Sequence, residues 1–227
     1  MIGSQICDGV WMPTGYHNND TLKHELLTKL SFDYYRDCAK SKKYQSLKTI
    51  DLFDKERSPK EIKKIIPGFL YNKYENVKIN YGSGENQVYT KMNTFKFDTE
   101  KFIEELRVEA VLRGVKFVEQ KFSSLEEVLA LKERSIFNCS GFSSKYLFND
   151  DKISGSTTHF VIFKNPQNLE YAMNVQVREG LPVRIVCSGD SMILRAETQD
   201  QTGEDFVRNM VAETQNFFAE KALKPKL

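Results

Sequence analysis

Apolar positions along the chain alternate between two textures. From Asp20 to about Lys40, Leu22, Leu26, Leu27, Leu30 and Tyr34 recur at helical spacing, which predicts a helix with one apolar side. Between Leu47 and Phe97 the pattern shortens to β-rich pieces, Lys48 to Phe53, Phe69 to Tyr74 and Val88 to Met92, divided by Ser58-Pro59, Pro67-Gly68 and Gly82-Ser83-Gly84. Helical spacing returns at Phe102, Ile103, Leu106, Ala110 and Val111 behind an N-cap at Asp98, and Arg113-Gly114 supplies the stop. A β-rich run, Val115 to Val118, follows. Ser124 and Glu127 have capping-box spacing ahead of Val128, Leu129 and Leu131, predicting a short helix before a strand over Ser135-Ile136-Phe137-Asn138. This αβαβ order over Asp98 to Leu147 favours a parallel layer.

After Gly155 the period returns to that of strands. His159 to Lys164, Tyr171 to Val177 and Val183 to Leu194, the last broken by a Ser188-Gly189-Asp190-Ser191 turn, read as an antiparallel meander. A closing helix from about Gly203 to Ala222 brings Phe206, Met210, Val211, Phe217 and Phe218 near one face. The pattern is α/β, α+β overall.

Composition narrows the class. With 227 residues, 40% hydrophobic and 28% charged, the chain can bury a real core as one large or two small domains. Lysine plus arginine is 33 against 31 aspartate plus glutamate, a balance that gives no reason to expect nucleic acid or an anionic membrane as partner. No apolar run approaches the roughly 20 residues that span a bilayer, and the first residues lack the basic-then-apolar form of a signal peptide. Cys7, Cys38, Cys139 and Cys187 are widely spaced, and with three histidines, His17, His24 and His159, they show no metal-ligand spacing. Reduced thiols and a cytoplasmic location are expected. The terminal Pro225-Lys226-Leu227 loosely resembles the peroxisomal Ser-Lys-Leu address, the alternative compartment.

Each local motif has a sharp and a plain reading. Gly82-Ser83-Gly84 lacks a third glycine and opens no amphipathic helix, so it reads as a turn rather than a dinucleotide fingerprint. Asn138-Cys139-Ser140 matches a glycosylation acceptor by accident, at the end of an apolar strand. Cys139 reads as a buried thiol rather than a nucleophile, because no histidine lies near it in sequence. Tyr71, Tyr74, Tyr81 and Tyr89 either line a pocket or pack in the β layer.

The order of motifs is more specific than any one of them. Gly9-Val10-Trp11-Met12-Pro13, the following helix, Gly114-Val115-Lys116-Phe117-Val118, Ser124-Leu125-Glu126-Glu127-Val128 and Asn138-Cys139-Ser140-Gly141 occur in sequence. Phe163-Lys164-Asn165-Pro166, Gly189-Asp190-Ser191-Met192-Ile193-Leu194 and Phe217-Phe218 continue the series. Together they resemble the FAD-dependent D-amino-acid oxidase family over nearly the whole chain. The resemblance implies an incomplete Rossmann-like FAD-binding layer (residues 1–45 and 94–150) and an antiparallel β-sheet substrate-type domain with flanking helices (46–93 and 151–227). It also implies oxidation of an amino acid by transfer of its α-hydrogen to the flavin as hydride, the cofactor supplying the hard chemistry. Carried over by position, Gly9, Val10, Phe122, Ser140 and Gly141 would contact FAD.

Departures from the family are equally definite. Its Gly-x-Gly-x-x-Gly opening, which sets the pyrophosphate at a helix N-terminus, has no counterpart in this sequence, nor does its later segment carrying the substrate arginine and a flavin-contacting loop. Arg184 stands where the family commonly has a substrate-contacting tyrosine, and Arg195-Ala196 where it has paired glycines. Arg184 reads either as a bidentate carboxylate contact or as an exposed strand arginine. Two functions follow: a FAD-dependent amino-acid oxidoreductase, or a non-catalytic binding or interaction module that no longer holds FAD. A complementing chain or an oligomer, joined through an exposed sheet edge, is the expected partner besides the amino acid.

Overall fold

A computed structural model of the chain describes residues 8–12, 21–55, 75–80, 86–155, 157–198 and 203–223. The predicted Phe69–Tyr74 strand, Gly82-Ser83-Gly84, His17, Tyr71, Tyr74, Tyr81 and the terminal Pro225-Lys226-Leu227 lie outside the described residues, as do the side chains of Leu22 and His24. In chain order come α1 (Thr21–Ser41), β1 (Leu47–Asp54), β2 (Glu75–Asn80), β3 (Asn86–Phe97), α2 (Thr99–Leu112) and α3 (Leu125–Leu129). A 3-10 turn (Gly141–Ser143) then leads into α4 (Ser144–Leu147), β4 (Thr157–Lys164), β5 (Tyr171–Arg178), β6 (Leu181–Ser188), β7 (Ser191–Thr198) and α5 (Glu204–Leu223). No described helix is long and apolar enough to cross a membrane.

The seven strands among the described residues join one sheet in the order β2-β3-β1-β5-β6-β7-β4. Pairing is antiparallel except between β1 and β5. The expected meander is corrected in one respect: β4 pairs with β7 at the sheet edge, because the free side of β5 is taken by β1. The expected domain boundary at residue 94 falls inside β3, and strands from both parts of the 46–93 and 151–227 unit lie side by side.

One face of the sheet packs under α5, where Val175, Val183, Ile185, Leu194, Phe206 and Met210 form the main core. Residues 8–12 lie on the other face: Val10 and Met12 cover Ile50, Leu52, Met92, Ala172 and Val186. A third cluster joins α1 to the β1–β3 end, and aromatic size decides which side of α1 enters it. Phe32 packs edge-on against Trp11 and Tyr35 edge-on against Phe97, and both rings lie tilted against Phe95, at centroid distances of 4.9 to 6.3 Å. The predicted apolar side of α1 is thereby corrected, since Leu26, Leu27, Leu30 and Tyr34 are exposed.

Local signals in the Asp98–Leu147 segment behave as predicted, yet its tertiary reading does not. The Asp98 side chain accepts from Lys101 N, and Ser124 and Glu127 cap α3, Ser124 Oγ accepting from Glu127 N and Glu127 Oε2 from Ser123 N. Val115–Val118 and residues 135–138, however, form no strand, and between Lys116 and Phe122 no backbone hydrogen bond occurs among the described residues. A β-rich run becomes a strand only when a neighbour completes its ladder, and among the described residues none stands beside these two. The parallel layer, the Rossmann-like part of the expected fold, is thus not formed by these runs. Their apolar side chains remain outside, with Leu112, Val118 and Phe137 at 81%, 79% and 88% exposure.

Candidate functional site

Strand register sets two consecutive rows of side chains across the face covered by residues 8–12. One row is apolar: Met92, Leu52, Ala172, Val186, Ile193 and Ile162 are successive cross-strand partners. Two residues further along, the row is polar on five of these strands, with Thr90 of β3, Asp54 of β1, Asn174 of β5, Arg184 of β6 and Arg195 of β7, and ends in Phe160 of β4. Buried polar groups persist in a sheet only when paired, and this row is paired along its length. Asn174 Nδ2 donates to Asp54 Oδ2 at 3.3 Å, and Arg184 Nε donates to Asn174 Oδ1 at 2.9 Å.

The two arginines share one carboxylate from the covering segment. Arg184 Nη1 lies 3.1 Å and Arg195 Nη1 3.9 Å from Asp8 Oδ2, the Arg184 and Asp8 side chains being 14% and 8% exposed. Arg184 Nη2 meets the Met12 thioether sulfur at 3.2 Å, a weak acceptor. Arg195 has a second partner in Glu197 Oε2 at 3.1 Å. The reading of Arg184 as an exposed strand arginine is therefore corrected: it is held, mostly buried, in a network of Asp8, Met12, Asn174 and, through Asn174, Asp54.

The hairpin that presents these arginines is fixed from outside. Gly189 takes φ +57° at the first position of the β6–β7 turn, a conformation that two-residue hairpin loops require. Asn165, from the link between β4 and β5, pins that turn: its Nδ2 donates to Gly189 O (2.8 Å) and Leu169 O (2.9 Å), and its own amide to Asp190 O (2.7 Å). Asn165-Pro166 and Gly189-Asp190, two of the collinear motifs, thus share a structural task, which is to hold the register of Arg184 against Arg195.

The residues expected to contact FAD fall into separate local settings. Gly9 has φ +61°, and a Cβ there would come within 2.3 Å of Phe97 O, so glycine is what allows this segment to lie on β3. Gly9 O accepts from Phe97 N and Trp11 N donates to Phe95 O, both at 2.8 Å, while Val10 packs into the apolar row. Phe122 is half-buried in the irregular stretch before α3. Ser140 and Gly141 begin the 3-10 turn, and Ser140 Oγ is engaged by Asn138 Oδ1 (2.7 Å) and Ser144 Oγ (2.8 Å). Cys139, expected to be buried, is exposed. Burial pushes the Cys187 thiol up, so the sheet's own cysteine is a packing residue.

A dinucleotide also needs a home for its pyrophosphate, and the N-termini of α2, α3 and α5 do not fit one. The first turns of α2, α3 and α5 carry Glu100, then Glu126 and Glu127, then Glu204 and Asp205, and the Asp98 carboxylate already caps α2. Carboxylates there complement the helix dipole and repel phosphate.

A cleft of about 1310 Å3 opens between α2 and the β6–β7 end of the sheet, with Val186 and Ile193 of the apolar row in its floor. Several of its wall charges are satisfied by protein: Lys43 pairs with Glu109, Lys48 with Glu170 and Lys101 with Asp98. Arg184 does not line the cleft but borders its floor row. Compared with known proteins, the sequence matches no family model, and no curated protein matches it.

Asp8, Asp54 and Asn174 were not recognised as site residues in the sequence. The available signal was the alternation in β5 and β6: Asn174 falls on the same side as Ala172, and Arg184 on the same side as Val186, both apolar neighbours buried in the sheet.

Proposed function

We propose that this chain provides the substrate-side sheet of a flavin-dependent amino-acid oxidoreductase related to the D-amino-acid oxidases, with Arg184 as the group that receives a substrate carboxylate. The collinear motifs support the family, and one observation carries the role of Arg184. Its Nε edge is fixed by Asn174, which Asp54 orients, while both terminal nitrogens point at replaceable partners, Asp8 and Met12. A guanidinium held in this way is pre-organised for bidentate recognition of a carboxylate.

A second reading, a non-catalytic module that binds carboxylates without flavin, is favoured by the acidic first turns of α2, α3 and α5. Purification of the chain after expression with excess FAD separates the two. A yellow protein with close to one flavin per chain supports the oxidoreductase reading; a colourless, folded protein overturns it in favour of the second.

A further inference from the structure

Resting on the reading of Arg184 as a carboxylate contact, we propose that Arg184 and Arg195 together form a binding site for a small carboxylate in which Asp8 is a built-in, displaceable occupant. The two arginines are direct cross-strand partners on one face. Like charges placed directly opposite in a sheet are unfavourable unless an anion lies between them. Asp8 is that anion, and it serves both guanidiniums through a single oxygen, at 3.1 and 3.9 Å. Among the described residues, the remaining terminal nitrogen of Arg184 meets the Met12 sulfur at 3.2 Å, a poor match for a charged donor. A free carboxylate in the same place would engage both terminal nitrogens of Arg184, which Asp8 does not.

Asp8 and Met12 lie at the two ends of one short segment, and the backbone between them is anchored independently. Gly9 and Trp11 bond to β3, and the Trp11 indole donates to Ser31 Oγ at 2.9 Å. Turning two side chains therefore uncovers the fork of Arg184 without lifting the segment. The pair is not sealed from solvent: the Arg184 and Arg195 side chains keep 14% and 25% exposure, and their row adjoins Val186 and Ile193, which line the cleft. Among the described residues, the nearby carboxylates of Glu197 and Asp54 bear on Arg195 and Asn174 respectively, and the Arg184 terminal nitrogens meet Asp8 and Met12.

An intramolecular occupant acts as a competitor at high effective concentration, so its removal should tighten binding of an external carboxylate by about tenfold or more. Acetate is titrated into the flavin-free chain, with acetamide as neutral control, while the arginine Nε–H groups are followed by NMR. The expected result is at least a tenfold lower Kd for acetate in Asp8→Asn than in the natural chain, abolished when Arg184→Leu is added. Equal affinities, an equal response to acetamide, or a response that survives Arg184→Leu would overturn the proposal. Should Asp8→Asn fail to fold, the natural chain decides: the Arg184 and Arg195 signals move with acetate and not with acetamide, or the site is disproved. No flavin enters this experiment, so a colourless chain that passes keeps the site and loses the oxidoreductase reading, and a yellow chain that fails does the reverse.

Discussion

The sheet and the Asp98–Leu147 segment contain similar apolar residues and similar β-rich runs, but only the sheet uses them. In the sheet, Val175, Val183 and Val186 sit on strands with a partner on each side, and both faces are covered, by α5 and by residues 8–12. In the segment, Val115, Phe117, Val118, Ile136 and Phe137 are exposed, and their runs have no strand beside them among the described residues. Helix α2 is tethered through one side alone: Phe102 stacks with Tyr44 and Phe97, Glu105 accepts from Gln45 N and Glu109 from Tyr44 Oη. Local sequence fixes helices and caps; a buried strand needs a neighbour as well.

The largest effect belongs to the sheet core. Met210 of α5 has no exposed surface, and Met210→Ala should cost about 3 kcal/mol of unfolding free energy, read by chemical denaturation. A loss below about 1 kcal/mol would mean that α5 is not the lid of the main core. Gly9→Ala tests the cover on the opposite face. The left-handed backbone there, with Phe97 O in the way of a side chain, predicts a loss of about 2 kcal/mol, visible as a lower Tm.

Much of the local fold was legible. Asp98, Ser124 and Glu127 announced their caps, and Ser188 to Ser191 its hairpin, because a cap or a turn is decided by a few neighbouring residues. The packed side of α1 was not legible: leucine spacing pointed one way, and the aromatic stack with Trp11 and Phe95, set by chain segments distant in sequence, turned the helix the other way. The candidate site was half legible. Arg184 stood out as an anomaly against the family pattern, but its partnership with Asp8, 176 positions away, depends on tertiary placement that no local period encodes.

In the segment, effects on stability should be small. Phe137→Ser should change the unfolding free energy by no more than about 0.5 kcal/mol, because the ring is exposed, while light scattering at high concentration falls. A large destabilisation would show that the ring is buried in solution.

The tether of α2 adds a pH dependence without a large energy. The Tyr44 hydrogen bond, and after it Lys43, hold the Glu109 carboxyl below its usual value of 4.5. A carboxyl whose folded pKa is depressed contributes fully above its unfolded pKa, and the contribution is lost as pH falls through the folded value. Acid should therefore loosen α2 from the α1–β1 link, and Glu109→Gln should flatten that part of the stability profile between neutral and acidic pH, followed by circular dichroism. An unchanged profile would remove Glu109 from the tether.

The central claim is that the sheet, with its buried polar row, is the formed core of this chain, while the Asp98–Leu147 segment, which carries three of the collinear motifs, is not a formed nucleotide-binding layer. Residue-resolved hydrogen exchange tests it most directly. The account predicts slow exchange for the amides of β1, β5 and β6 and fast exchange for Lys116 to Val118 and Ile136 to Asn138. Protection of those two runs equal to that of β5 and β6 would contradict it.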